Sequence, residues 1–534
     1  MSEPILLTDE QMREFIVNGY LVFEPTVPAG THEACYRKLN EIIDSEANPG
    51  NNILPRVPEM RHILNSPEVH GALISVLGPD YLEHPHRYCH PLRPVEEVPS
   101  PQEAEERLRK NCHQDSYTPM GHPRQHYLRY ARIMYYPQDS PVELGPTHVI
   151  PGTQFNRGLT DEDRARCVPV AGRAGTVSLT HFDIGHAAGV SLLSRHRHMI
   201  KFIYVRGAEP TRPTWDSQST DWQKPRYITA PYDLEHVWAH NWDWQCGKRD
   251  RYASWQQKEG AVAALIDQLQ DEQLERRLEA AKELTGFGAD AQDAIEPLVA
   301  CLGAGHQAMR VAATYALGAI GAAAVPALAG ALRTAGLAAA EHEAPPAWNE
   351  GAINMEDAAQ AMAAMGDPAV DALCELLQDD CEWTRVNAAF ALGEMDSHAA
   401  VAVPVLVRAL EDPSHRVVRT ALDALGSVAK GVPVEAIGRM LAADDPAWGE
   451  EGPREWIPRD QLRTNAATVC ARLGPAAAPL EDQLLRALDD PCGHVGSFAL
   501  NALQRIGTRS AATAAMDYLY SQRWDASIDG ERQF

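Results

Sequence analysis

Residues 310–318 read Arg-Val-Ala-Ala-Thr-Tyr-Ala-Leu-Gly, and residues 385–393 read Arg-Val-Asn-Ala-Ala-Phe-Ala-Leu-Gly. The pattern recurs at Arg277 to Ala281, Arg416 to Thr420, Arg463 to Ala467 and His494 to Phe498, with a weaker copy at Met355 to Met365. Successive strong copies are 33, 75, 31, 47 and 31 residues apart. The weaker copy divides the 75, and an insertion around Trp448 to Pro458 lengthens the 47. A second segment of the form PxLxxxL recurs between the arginines, as in Pro297-Leu298 and Pro404-Val405-Leu406. A helical hairpin of about 31 residues cannot bury its apolar face alone, so seven copies must stack into an all-α solenoid, here residues 256–534. The recurrent arginine is expected to order neighbouring units rather than to do chemistry.

Upstream the grammar changes. Leu7-Thr8-Asp9-Glu10 opens a helix with a capping threonine and acidic first-turn residues. Asn18-Gly19 ends it, and Tyr20 to Phe23 reads as a strand. Further β-branched and aromatic runs lie at Tyr127 to Tyr136, Val149-Ile150, Gly175 to Leu179 and Met199 to Val205. Short strands of this kind with helices before them predict an antiparallel barrel or jelly roll with a helical flank over 1–206. Between the two regions, residues 207–255 carry Trp215, Trp222, Trp238, Trp242, Trp244 and Trp255. Large aromatics at that density predict a bridge packed onto its neighbours, not a flexible linker.

A chain of 534 residues exceeds what one hydrophobic core supports. Its net charge of −25 argues against nucleic acid and against an anionic membrane face. The N-terminus has no basic stretch followed by an apolar run, and no window approaches the roughly 20 apolar residues of a membrane span. Ten cysteines are scattered without a CxxC pair. That distribution predicts buried free thiols in a reducing cytoplasm.

The chemistry is concentrated in His113-Gln114-Asp115, followed 73 residues later by His186 and eleven residues beyond that by Arg197. Two imidazoles and one carboxylate with open positions form the facial triad of non-haem Fe(II) oxygen chemistry. An arginine beyond the second histidine can pair bidentately with the distal carboxylate of a 2-oxo acid. In an extended strand, positions i and i+2 face one side, so His113 and Asp115 can present their ligands together. His181-Phe182-Asp183 is a second HxD, but eleven residues past His181 stands Leu192, which cannot bind a carboxylate. His186 is therefore favoured over His181 and His148, and Arg197 over its neighbour Arg195.

The repeats resemble short HEAT repeats. Residues 5–206 resemble the phytanoyl-CoA dioxygenase family of iron and 2-oxoglutarate oxygenases. The likeness rests on LTDEQMREFIVNGYLVF, on RHILNSPEVHGALISVLGPDY, on HQD, on ELGPTHVIPGTQF, and on His186 to Arg197 followed by Phe202-Ile203-Tyr204. It implies a double-stranded β-helix, with Fe(II) on His113, Asp115 and His186 and 2-oxoglutarate on Arg197. Tyr88, His90 and Thr147 are candidates for the other end of the co-substrate. Family halogenases replace the iron carboxylate with a small residue; Asp115 favours hydroxylation or a related C–H oxidation by O2. The solenoid and the acidic surface speak against simple transfer of a coenzyme A substrate. A small-molecule substrate is the leading expectation. The alternatives are a protein substrate recruited by the repeats, repeats that cap the site or form a homo-oligomer, and an inactive scaffold. The insertions at about 338–354 and 445–459 are expected on one face of the solenoid, against the oxygenase region or its substrate.

Overall fold

A computed structural model describes residues 3–46, 48–94, 97–115, 125–255, 261–343, 353, 355–428, 431–448 and 457–521. Most of the two insertions lies outside these residues. The first helix, α1 (Asp9–Asn18), starts at a capping box between Thr8 and Gln11 and stops at Gly19. Gly19 has φ +80°, and a Cβ there would meet the Gln154 side chain at 2.6 Å, so the turn into β1 (Tyr20–Phe23) requires glycine. Helices α2 (Thr31–Ser45) and α3 (Pro67–Leu77) follow, then β2 (Leu82–Leu92) and α4 (Pro101–Asn111), the last capped by Ser100 and Glu103.

Six further strands complete two antiparallel sheets: β3 (Tyr130–Tyr135), β4 (Thr147–Ile150), β5 (Val168–Pro169), β6 (Val177–His181), β7 (Gly185–Ala188) and β8 (Arg197–Val205). The larger sheet has the order β1-β6-β3-β8-β2 and the smaller β5-β4-β7. Every residue of β3, β6 and β8 is buried, because both faces of the larger sheet are covered. Its outer face, with Ile133, Tyr135, Ile200 and Phe202, joins Phe15, Leu39 and Leu73 of the flanking helices. Its inner face meets the smaller sheet through Met134, Met199, Val149 and Ile184. Cross-strand register puts Arg132 opposite Thr180, Lys201 opposite both Met134 and Tyr88, and Arg197 opposite Leu92. Directly opposed residues share a face, so three cationic side chains enter the space between the sheets.

The bridge folds onto the N-terminal region. Its helix α5 (Glu235–Gln245) buries Trp238, Trp242 and Trp244, while Trp222 and Trp255 are half-buried. Trp215 donates to Asp9 Oδ1 at 2.6 Å, and Arg13 lies 4.8 Å above the Trp242 ring. The seven copies become α6 (Leu274–Phe287), α7 (Gln307–Ile320), α8 (Asp357–Met365), α9 (Glu382–Glu394), α10 (His415–Val428), α11 (Pro458–Leu473) and α12 (Gly493–Ile506). Three of the repeat arginines tie adjacent units together: Arg310 to Asp357, Arg385 to Asp412 at 2.7 Å, and Arg463 to Asp490 at 2.8 Å. Their ordering role is thus visible as a ladder of ion pairs. The reading of membrane-spanning potential needs correction, since residues Gln307–Ala340 contain an 18-residue window apolar enough to span a bilayer. The structure divides them between α7 and the next helix at Gly321, and 61% of the window is buried inside the protein.

The two regions share one apolar cluster that runs from Leu7 to Ala511. Buried charges cross the same boundary. Arg129 meets Glu209 and Glu394, Arg472 meets Glu209 at 2.7 Å, and Arg251 meets Asp396 at 2.6 Å. Asn501 of α12 donates to the Glu83 carbonyl of β2 at 3.0 Å, and His84 packs against Phe498.

Candidate metal centre

After α4 the chain runs beside β7, and His113 and His186 exchange two backbone hydrogen bonds of 2.9 Å. This narrow pair sets the imidazoles side by side, with ring centroids 4.5 Å apart. Each Nδ1 faces a local carbonyl, His113 to Asn111 O at 2.7 Å and His186 to Ile184 O at 3.2 Å. A carbonyl only accepts, so Nδ1 carries the hydrogen and Nε2 keeps the lone pair that a metal uses. Gln114, between the ligands, donates to the carbonyls of Thr153, Asn156 and Asp183 and so fixes the loop that carries them.

Asp115 completes the group. Its Oδ1 lies 3.7 Å from His113 Nε2 and its Oδ2 3.7 Å from His186 Nε2, and the three candidate ligand atoms lie within 4.8 Å of one another. Ligand atoms about 2.1 Å from a common ion stand roughly 3–4 Å apart, so the donor set fits a small divalent metal. Asp115 and His186 are buried, whereas the His113 side chain is 50% exposed, which leaves one side open for entry. Burial opposes the Asp115 charge, but Lys201 and Arg132 hold the carboxyl well below its usual range. Burial, then Arg132, keeps His186 well below its ordinary value. The pair therefore stands as carboxylate and neutral imidazole, the forms that bind metal.

Arg197 enters the same interior and is fully buried. It donates from Nε to Gly145 O at 3.1 Å and from Nη1 to His90 O at 3.0 Å, while Nη2 has no hydrogen-bond partner among the described residues. Gly145, at φ +69°, lies so close to Val190 and Ser191 that a Cβ would meet their backbone at 2.7 and 2.8 Å. Thr147 shares a strand face with Val149, the residue opposite His186, and its buried Oγ1 also lacks a hydrogen-bond partner among the described residues. A buried cation corner and a buried hydroxyl without partners cost stability unless an anion meets them.

The sequence alternatives separate clearly. Arg195 is exposed and, among the described residues, donates to the Asp139 carbonyl at 3.4 Å. His181 ends β6 with its Nδ1 accepting the Asp183 N–H, and His148 faces away from His186 on β4. Tyr88 stands opposite Lys201, not Arg197, with its ring 5.0 Å from that of His90. His90 is the candidate that touches Arg197, through its carbonyl, and its Nε2 has no hydrogen-bond partner among the described residues.

Two residues that spacing did not single out reach the ligands. Arg132 directs Nη1 to Asp115 Oδ2 and, at 3.0 Å, to His186 Nε2. Lys201 Nζ lies 3.3 Å from the same Asp115 oxygen. Their signal was a cation set among apolar residues, Arg132 alone in β3 and Lys201 in the apolar run 199–205 of β8.

The description "HEAT repeats" matches residues 262–342 and 356–426, so the C-terminal region carries HEAT repeats. Among solved structures the chain resembles the non-heme monooxygenase ThoJ, at 18% identity over 40% of this chain and 85% of that one, with a TM-score of 0.29. It also resembles the non-heme alpha ketoglutarate dependent carbocyclase SnoK from nogalamycin biosynthesis, at 17% identity over 39% and 88%, TM-score 0.29. AviO1 from Streptomyces viridochromogenes matches at 16% identity over 37% and 95%, TM-score 0.28. None is close enough to say what this chain does. Among curated proteins no match was found.

Proposed function

We propose that this protein is a non-haem Fe(II)- and 2-oxoglutarate-dependent dioxygenase that oxidises a C–H bond of a small molecule. In this reading residues 1–206 form the oxygenase domain, with its two sheets as a double-stranded β-helix. Residues 207–255 are the bridge and 256–534 the HEAT-like domain. The observation that carries the proposal is that the ligand atoms of His113, Asp115 and His186 lie within 4.8 Å of one another, while the buried Arg197 Nη2 and Thr147 Oγ1 belong to strands that face the same space between the sheets.

His113, Asp115 and His186 would hold Fe(II), which when bound supplies oxygen activation by O2 with conversion of 2-oxoglutarate to succinate and CO2. Arg197 offers its Nη2 hydrogens to the distal carboxylate of the co-substrate, and the Thr147 hydroxyl is a candidate donor to its other end. Tyr88 and His90 wall the pocket from β2. Arg132 and Lys201 hold the second oxygen of Asp115. The two sheets exclude water and so strengthen each of these contacts.

An interior enclosed between sheets favours a small molecule; a protein substrate recruited by the repeats is the alternative. Ten free cysteines fit a reducing cytoplasm. The net charge of −25 fits a protein that binds neither nucleic acid nor an anionic membrane. The test is anaerobic titration of the metal-free protein with Fe(II) and 2-oxoglutarate, watching for the visible charge-transfer band of the bidentate complex. A band in the wild type that is lost in His186→Ala supports the reading. Absence of a band in folded protein refutes it, and function must then be sought in the solenoid.

A further inference from the structure

The buried arginine at the ligands has a geometry that a supporting residue alone does not need. Arg132 is fixed at two corners of its guanidinium, Nε on Thr180 Oγ1 at 3.1 Å and Nη2 on the Phe182 carbonyl at 3.1 Å. The third corner, Nη1, reaches two of the three candidate ligand atoms, Asp115 Oδ2 and His186 Nε2. Arginine stays protonated in proteins, so Nη1 donates to the same His186 lone pair that a metal would take. Lys201 adds a second buried cation on the same Asp115 oxygen. The single negative charge of Asp115 is already shared by two cations before any ion arrives.

We infer that Arg132 and Lys201 make metal binding depend on an anion: the divalent ion binds weakly alone and tightly only together with a 2-oxo acid dianion. This inference rests on the metal reading above. An ion at the triad meets two fixed positive charges in a low-dielectric interior, where repulsion is strong. A dianion spanning the ion and Arg197 cancels the two positive charges that the ion brings. Linkage then makes the coupling reciprocal, so the metal tightens the 2-oxo acid by the same factor. Chelation gives any 2-oxo acid some coupling. The part assigned to Arg132 and Lys201 is the part that disappears when their charge is removed.

The experiment is titration of the full-length protein with Mn(II), reading the free ion by its paramagnetic resonance signal, with and without 2-oxoglutarate. Manganese suits carboxylate and imidazole ligands, and the readout needs no turnover. The wild type is expected to bind Mn(II) more than tenfold tighter when 2-oxoglutarate is present. Arg132→Met is expected to bind Mn(II) at least tenfold tighter than wild type without 2-oxoglutarate, and to show a smaller coupling factor. Lys201→Met, which leaves the contact to His186 in place, should move in the same direction, while Arg132→Lys keeps the charge and should stay near wild type.

If both charge-removing variants bind Mn(II) as the wild type does, or more weakly, the inference is overturned and Arg132 is a support for Asp115. If Arg132→Met alone misfolds, Lys201→Met decides by the same criterion. If no variant binds Mn(II) with or without 2-oxoglutarate, the metal reading itself falls. That outcome differs from binding that is present but insensitive to charge.

Discussion

Replacing Arg129 by methionine is expected to destabilise both halves of the molecule together. Arg129 lies just before β3 with its side chain 2% exposed. It donates to both Glu209 oxygens, at 3.1 and 3.3 Å, to Glu394 at the end of α9, and to the Gly393 carbonyl. Glu209 keeps a second cation, Arg472 of α11, at 2.7 Å. The second oxygen of Glu394 has no hydrogen-bond partner among the described residues. Burial pushes the Glu394 carboxyl up to about 7, with Arg129 opposing and Glu209 and Asp423 adding to the rise. Deleting one partner of a buried pair costs about 3–5 kcal/mol, because the other charge stays buried. Glu394→Gln copies the protonated state that the carboxyl already half-populates near neutrality, so its cost should stay within about 1 kcal/mol. The double variant should cost less than the sum of the two. Urea denaturation at neutral pH, followed by tryptophan fluorescence and by far-ultraviolet circular dichroism, measures these values. The bridge tryptophans report the first signal and the solenoid helices dominate the second, so coincident transitions are expected. A loss below roughly 0.5 kcal/mol in Arg129→Met, or an equal loss in Glu394→Gln, would refute the reasoning.

Arg197→Met should raise the KM for 2-oxoglutarate by about 100-fold or more, since each charge-assisted hydrogen bond contributes about 1.5–3 kcal/mol; an unchanged KM in a succinate-release assay removes Arg197 from the pocket. Acid should destabilise the fold in the window from about pH 6.5 downward. Burial holds His181 and His198 at about 3 and His236 and His494 at about 4, so the unfolded chain binds protons that the folded one does not. At pH 5 each costs about 2 kcal/mol and the four roughly 8 kcal/mol; Glu394 acts in the opposite sense by at most about 3 kcal/mol, so thermal scans should show a melting temperature falling steeply between pH 6.5 and 5. Arg385→Ala removes two contacts to Asp412, at 2.7 and 3.0 Å, and two to the Asp379 and Asp380 carbonyls. Amide exchange should quicken by a factor corresponding to about 2–3 kcal/mol in α9 and α10 first, and uniform exchange through the solenoid would count against a ladder of local ties.

The solenoid was legible because one physical requirement repeats. Each unit needs a small-residue helix for close packing and a fixed cation to join its neighbour, so Arg310, Arg385 and Arg463 recur at spacings the eye can align. The strands were legible where turns bounded them, as at Asn18-Gly19 before β1. The helix α5 was not, because its sequence EHVWAHNWDWQ carries no polar face; it is buried on all sides, so helical periodicity is absent. The division of charge between the halves was equally invisible. Arg129, Glu209, Glu394 and Arg472 are far apart in sequence, and no local pattern marks a residue whose partner lies across a domain boundary.

The metal site shows the same boundary between local and non-local information. His113 and Asp115 stand two apart because one short backbone segment, bridged to β7 at His113, presents both, so that spacing is a local fact. His186 and Arg197 lie on strands that a short loop joins, so their separation of eleven is also a local fact. Arg132 and Lys201 differ. They belong to β3 and β8, adjacent in the sheet but separated by much of the domain in sequence, and they meet only through register. The clue they leave is energetic: a cation in a buried strand costs several kcal/mol unless an anion faces it. In Tyr130-Ala-Arg-Ile-Met-Tyr135 and Met199-Ile-Lys-Phe-Ile203 that cost points inward, to an anion between the sheets. Asp115 meets both. A buried cation in a fully covered strand is thus itself a pointer to the site, and unlike a spacing rule it does not depend on which metal or co-substrate the site holds.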